Sequence, residues 1–291
     1  MKKVHMMVCV WMLAVLLGGS SLAGETPAVP AVAEKTGAAS NGDPWISAMK
    51  NVHAKFKGTK GTFAQFGDSI TISMAYWTGL MGGGKNMNPK MSEAHALVKG
   101  YMLNECWAKW KGPGYGNDGG KTIVWAAAGV DKWLQAHNPE VALIMFGSND
   151  YGAVKLEIYE EKMREVVKKC LDNGTVVILS TPPPKSKRME LVPGYIEAVK
   201  KVAAELNVPV CDYYGEIMKR RPEDWDGSLP KFAERKGYQV LTIIAGDGVH
   251  PSNPKEYVND YSEEALNING FALRNNVVLM SYASVISNVL K

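Results

Sequence analysis

The run Val141-Ala142-Leu143-Ile144-Met145-Phe146 is apolar throughout and stops at Gly147. It is too short for a typical helix and shows no polar alternation, so it reads as a strand buried on both faces. Similar runs recur at Thr62-Phe63-Ala64-Gln65-Phe66 before Gly67, at Thr175 to Leu179, and at Val208 to Cys211. Between them the period changes to that of a helix. Ile123, Ala127, Val130 and Leu134 form one stripe, Met163, Val166, Val167, Cys170 and Leu171 a second, and Tyr195, Val199, Val202 and Leu206 a third. Asn173-Gly174 stops the second helix, and Phe271 to Leu290 reads as a long apolar closing helix. Alternating strands and helices imply right-handed crossovers and an α/β fold, with a central, mainly parallel sheet covered on both faces. In such sheets ligands bind beyond the carboxyl ends of the strands. Gly67-Asp68-Ser69 and Gly147-Ser148-Asn149-Asp150 both fall at those ends.

The chain has 291 residues and 46% hydrophobic content, enough for a sizeable core. Its first residues read as a signal peptide over 1–23: Lys2 and Lys3, an apolar run from Met6 to Leu17, then Ser21-Leu22-Ala23 as a small-residue cleavage site. That run is too short to span a bilayer, so the expected protein is exported, secreted or periplasmic, with no stable membrane insertion after cleavage. Residues 24–43, rich in Ala, Pro, Gly and Ser, read as a flexible linker. Residues 44–291 are expected to form one domain. Without Lys2 and Lys3 the formal charge falls from +4 to +2. The most basic cluster, Lys185-Ser186-Lys187-Arg188, is short and follows three prolines, so it reads as a solvated loop and no nucleic-acid partner is expected. Cys106, Cys170 and Cys211 have neither disulfide nor zinc spacing and are expected to be buried thiols.

Ser69 sits where a strand turns into the next segment, so its hydroxyl can be exposed and its N–H directed into a site. Taken alone, Gly-Asp-Ser equally describes a helix cap. Among the histidines, only His250 has an Asp three residues earlier within a turn bounded by Gly248 and Pro251. That spacing lets Asp247 orient the imidazole while the other ring nitrogen faces a nucleophile. The lipase-type Gly-x-Ser-x-Gly elbow is absent from the sequence.

Four segments in this order, Gly67-Asp68-Ser69-Ile70, Asn117-Asp118-Gly119-Gly120, Gly147-Ser148-Asn149-Asp150 and Asp247-Gly248-Val249-His250-Pro251, resemble those of the SGNH (GDSL) hydrolase family. The resemblance runs from about Phe63 to Ser252. It implies a flavodoxin-like three-layer α/β/α sandwich and a serine hydrolase acting on carboxylic esters, O-acetyl groups on glycans among them. It also implies Ser69, His250 and Asp247 as catalytic residues, and an oxyanion hole of the Ser69 N–H, the Gly120 N–H and the Asn149 amide. No cofactor or metal is implied, and the partner is a small-molecule or glycan ester. The family usually has a strand just before the oxyanion glycine, whereas here Trp107-Ala108-Lys109-Trp110-Lys111-Gly112-Pro113 precedes it. Gly119 is therefore an alternative to Gly120, and Gly129 a more distant one.

Three other readings compete. Gly114-Tyr115-Gly116-Asn117-Asp118-Gly119 fits a dinucleotide fingerprint and Gly120-Lys121-Thr122 a P-loop ending, but neither follows an apolar strand and the P-loop glycine is replaced by Tyr115. Asp68, Asn149, Asp150, Asp247 and His250 could surround metal ions in a phosphoesterase, with a single nitrogen ligand among them. Trp77, Trp107, Trp110, Trp125, Trp133 and Trp225 could stack on sugars in a non-catalytic carbohydrate-binding protein, although several fall on helix faces.

Overall fold

Each of the four apolar runs forms a strand of one parallel sheet, in the order β1-β2-β3-β4. The structure is a computed structural model that describes residues 43–291. The expected leader lies outside the described residues, as does the expected linker apart from Asp43. The elements run α1 (Pro44–His53), β1 (Phe63–Gly67), α2 (Ser69–Ile72), α3 (Pro89–Tyr101), α4 (Ile123–His137), β2 (Val141–Met145), α5 (Leu156–Asp172), β3 (Val176–Ser180), α6 (Val192–Leu206), β4 (Val210–Cys211), α7 (Tyr213–Arg220), α8 (Glu263–Ile268) and α9 (Gly270–Val285). Every residue of β1, β2 and β3 is buried, as continuous apolar strands require.

Residues three apart on a strand point to opposite faces. Phe63 stacks on Tyr282 of α9 with ring centroids 4.2 Å apart, while Phe66 packs on Trp133 of α4 at 5.2 Å. The sheet is thus covered by helices on both sides, with α4, α5 and α6 packed in series in one layer. This is the three-layer arrangement expected from the alternation. The closing helix differs slightly from expectation, since α9 ends at Val285 and Ile286–Leu290 continues as a wider π turn.

The region from Thr78 to Tyr115 holds α3 and several short 3₁₀ turns. Before Gly119 and Gly120, where the sequence departs from the family's strand, the chain joins the sheet through one parallel bridge between Gly67 and Asn117. Trp107 and Trp110 before it are buried and pack into the core, which fixes this segment without a longer strand pairing. Cys106, Cys170 and Cys211 are free and buried.

At the amino end of β2, the buried Glu140 carboxylate accepts hydrogen bonds from Gly61 N–H (2.6 Å) and Tyr101 Oη (2.9 Å), and lies 2.8 Å from His53 Nε2. One acid therefore ties α1, α3 and the approach to β1 onto β2. Glu140→Ala leaves the Gly61 N–H and Tyr101 hydroxyl without an acceptor, which should cost about 3–5 kcal/mol. For a chain of this size that corresponds to a Tm roughly 10 °C lower. Thermal unfolding of Glu140→Ala beside Glu140→Gln, which keeps a carbonyl acceptor and should lose less, checks the assignment.

Candidate active site

The register of β1 on β2 places Gly67 level with Met145, so the loops after both strands emerge side by side. After Gly67 the backbone stays extended at Asp68, whose Oδ1 accepts the Ile70 N–H at 3.0 Å and starts α2. Ser69 is the first residue of that short helix. Its N–H, like the other first-turn donors of a helix, has no intrahelical acceptor.

The far end of α2 is held by two basic side chains. Buried Arg274 of α9 donates to Ile70 O (2.7 Å) and Thr71 Oγ1 (2.8 Å) and lies over the Tyr76 ring at 3.7 Å. Lys111 Nζ donates to Thr71 O at 2.6 Å, and burial together with Arg274 pulls its ammonium down to about 7. Both residues went unnoticed in the sequence. Arg274 did leave a signal there, as the one charged residue between Phe271 and Leu290.

The segment Asp247–His250 is a tight turn built by one carboxylate. Asp247 Oδ1 accepts the N–H groups of Val249 (2.9 Å) and His250 (3.0 Å), and Gly248 takes the left-handed conformation (φ +69°). The other oxygen, Oδ2, lies 2.7 Å from His250 Nδ1. An ionised carboxylate only accepts, so Nδ1 carries the proton and Nε2 is left as an acceptor. Nε2 lies 2.9 Å from Ser69 Oγ. The structure therefore brings Ser69, His250 and Asp247 into one line. Burial works to raise the Asp247 pKa, but the His250 ring and the two turn N–H groups outweigh it and hold the carboxyl at about 2. The bond to Asp247 raises the His250 pKa, against the opposing effect of burial.

Asn149 Nδ2 donates to Lys121 O at 3.1 Å and makes a longer 3.4 Å contact with Asp68 Oδ2. Its amide is thereby anchored beside Gly120. The two glycines differ: the Gly119 N–H is taken by Asp118 Oδ1 at 2.9 Å, whereas the Gly120 N–H meets no acceptor among the described residues. Gly120 also has φ +70°, which suits glycine. Gly129 lies inside α4 against Trp133, away from this cluster.

The carboxylates of the metal reading have other duties. Asp68 caps α2, Asp247 holds His250, and Asp150 Oδ1 accepts the Ile123 N–H at 2.9 Å, capping α4 in place of Thr122. Burial and the nearby Asp68 raise the Asp150 pKa to about 7. Among the described residues no group of three or more His, Cys, Asp or Glu is arranged to hold a metal ion. The other described histidines have structural partners: His53 meets Glu140, His95 meets Leu80 O and His137 meets Gly114 O. Five of the six tryptophans considered for sugar stacking are buried, and only Trp125 is partly exposed.

With this geometry in place, comparison with known proteins gives the class. Residues 66–254 match the model of the GDSL-like lipase/acylhydrolase family, and the chain belongs to that family of serine ester hydrolases. Solved structures with a similar chain path include an acetylxylan esterase from Geobacillus stearothermophilus (17% identity, 81% of this chain and 96% of that one, TM-score 0.46). A lipase/acylhydrolase from Enterococcus faecalis is similar at 18% identity, over 76% of this chain and 94% of that one (TM-score 0.46). No curated protein matches the sequence.

An NMR titration of His250 should give a midpoint above the ordinary imidazole value of about 6.5. Asp247→Ala removes the partner that favours imidazolium and leaves burial, so the midpoint should move to lower pH. A midpoint unchanged by that substitution contradicts the pairing.

Proposed function

We propose that this chain is an exported serine esterase that removes short acyl groups, O-acetyl above all, from a glycan through an acyl-enzyme on Ser69. The observation that carries the reading is the hydrogen-bonded line from Asp247 Oδ2 through His250 to Ser69 Oγ, with contacts of 2.7 and 2.9 Å. It lies at the carboxyl end of a parallel sheet, and the Ser69 and Gly120 N–H groups meet no acceptor among the described residues.

Ser69 Oγ attacks the ester carbonyl as its proton passes to His250 Nε2. Asp247 keeps the ring in its tautomer and stabilises the imidazolium that forms. The developing oxyanion accepts from the Ser69 N–H, the Gly120 N–H and Asn149 Nδ2. The long contact between Asn149 and Asp68 is weak, so an oxyanion can take that hydrogen without breaking the anchor to Lys121 O. His250 then protonates the leaving alcohol. Water, deprotonated by His250, attacks the acyl-enzyme and regenerates Ser69.

A glycan substrate suits the rim. Tyr238 presents an exposed ring 6.0 Å from the His250 ring, a surface on which the C–H face of a sugar can stack. Ser186, whose N–H bonds Gly248 O in the Asp247–His250 turn, and Ser228 against it are polar. The leader expected over 1–23 places such a substrate outside the cytoplasm. N-terminal sequencing of the mature protein should begin after Ala23.

Ser69→Ala should lower kcat by about 10⁴ or more with the fold intact. A fluorophosphonate should label the wild type at Ser69 and leave that variant unlabelled. Asn149→Ala should lower kcat by roughly 10²–10³ with little change in KM. His250→Ala should lose more near neutral pH and recover part of it at alkaline pH, where hydroxide replaces the base but not the oxyanion donors. Labelling that persists in Ser69→Ala overturns the mechanism, and loss of activity on chelation with recovery on adding Mn²⁺ or Zn²⁺ supports a metal-dependent one instead. Acetyl esters should be cleaved faster than long-chain ones.

A further inference from the structure

Cations with no carboxylate partner among the described residues collect beside the Asp247–His250 turn. Lys185, Lys187 and Arg188 lie in the loop after β3, and that loop is tied to the turn by a 2.8 Å hydrogen bond from Ser186 N–H to Gly248 O. Lys185 Nζ donates to Ser148 O at 2.8 Å, so its ammonium lies against the segment that carries Asn149. Its charge reaches His250, whose pKa it lowers. Lys187 and Arg188 are exposed, and Lys187 holds a left-handed conformation (φ +59°) that is unusual for a lysine. Arg188 extends over Gly152, just beyond Asn149.

The Ser186 and Ser228 hydroxyls meet at 3.1 Å. Next to Ser228 opens a cleft of about 310 Å³ that runs beside Gly246, the residue before Asp247. Arg235 and Lys236 line it with Ser228 and Phe232, and its lining includes no carboxylate. Arg235 pairs with Glu256, whereas Lys185, Lys187, Arg188 and Lys236 form no ion pair among the described residues.

The nearby carboxylates are engaged locally. Asp118 pairs with Lys121, Asp224 with Arg221 and Lys231, and Asp247 with His250. Asp226 accepts the Ser228 N–H. Exposed Glu190 and Glu234, with Asp226 and Asp247 at the turn, match these cations in number, but none of the four pairs with Lys185, Lys187, Arg188 or Lys236 among the described residues. Solvated lysines are common on any surface. Here, however, the segments that carry them are tied to one turn by the Ser186 N–H to Gly248 O and Gly246 N–H to Gly237 O hydrogen bonds, and they adjoin an open cleft. Such an arrangement raises the local concentration of an anionic substrate and orients it.

We infer that the Lys185–Arg188 loop and the adjoining cleft form a subsite for an oxyanion, a carboxylate or sulfate, on the alcohol part of the ester. The substrate is then an acylated acidic glycan. The inference rests on the ester hydrolase reading of Ser69.

The test uses three acetyl esters that differ only at the para position: para-acetoxybenzamide, para-acetoxybenzoate and para-acetoxybenzenesulfonate. Their kcat/KM values, each divided by the rate of hydroxide hydrolysis, are compared at low and high salt. The wild type should favour the anionic esters by about fivefold or more at low salt, since two or more exposed charge contacts contribute. High salt should remove most of that preference. The triple variant Lys187→Gln, Arg188→Gln, Lys236→Gln, with its Tm checked, should bring the anionic-to-neutral ratio close to one. Acetate release from acetylated polygalacturonate oligomers should fall in that variant more than release from acetylated xylan oligomers. The benzoate and sulfonate arms show which oxyanion is preferred. Equal rates on charged and neutral esters in the wild type overturn the subsite while leaving the hydrolase reading intact. Failure to cleave any of the three, with Ser69 unlabelled by fluorophosphonate, overturns the hydrolase reading itself.

Discussion

The parallel, in-register pairing of β1 with β2 is the constraint on which the site depends. It sets Gly67 against Met145, so the loop carrying Ser69 and the loop carrying Asn149 leave the sheet at one edge. Every backbone group at that edge needs a partner once water is excluded. The carboxylates there supply several: Asp68 accepts from Ile70 and Asp150 from Ile123. Burial is the main reason that both acids have raised pKa values, and their proximity pushes Asp150 up further. Two residues that look like chemistry in the sequence thus act first as caps that fix the helices around the site.

The short helix behind Ser69 has a second support. A four-residue helix has little stability of its own, because few hydrogen bonds offset the fixed dihedrals. Here its carbonyls are held by the Arg274 guanidinium, whose positive charge faces the negative end of the turn, and by a hydrogen bond from Lys111 Nζ. Arg274 is buried, and it faces carbonyls and the Tyr76 ring. Those contacts, together with the attraction to Asp68, offset its burial.

Rigidity beneath the site contrasts with openness above it. The strands and capping acids are buried, whereas His250 and Asp247 keep side-chain exposures of 27% and 42%. The His250 ring is therefore reachable from solvent while the elements beneath it stay fixed. The same openness leaves Tyr238, Lys187 and Arg188 at the solvent edge, where they can contact a substrate without contributing to the core.

The sequence alone determined what short-range physics decides. Buried strands announce themselves as unbroken apolar runs, and all four lie where those runs predict. The Asp247–His250 turn was legible because its hydrogen bonds span two or three residues. The family's segments gave the order of the candidate residues. Distance along the chain hid the rest. Ser69 and His250 are 181 residues apart, and Arg274 lies 204 from Ile70, so only packing of α9 and the loops over the sheet brings them together. That Asp118 occupies the Gly119 N–H, while the Gly120 N–H meets no acceptor among the described residues, is visible only in coordinates. Burial of most of the tryptophans, the capping of α4 by Asp150 and the convergence of cations beside His250 were likewise decided by the tertiary structure. Each depends on which surfaces meet, and a local pattern of residues does not specify that.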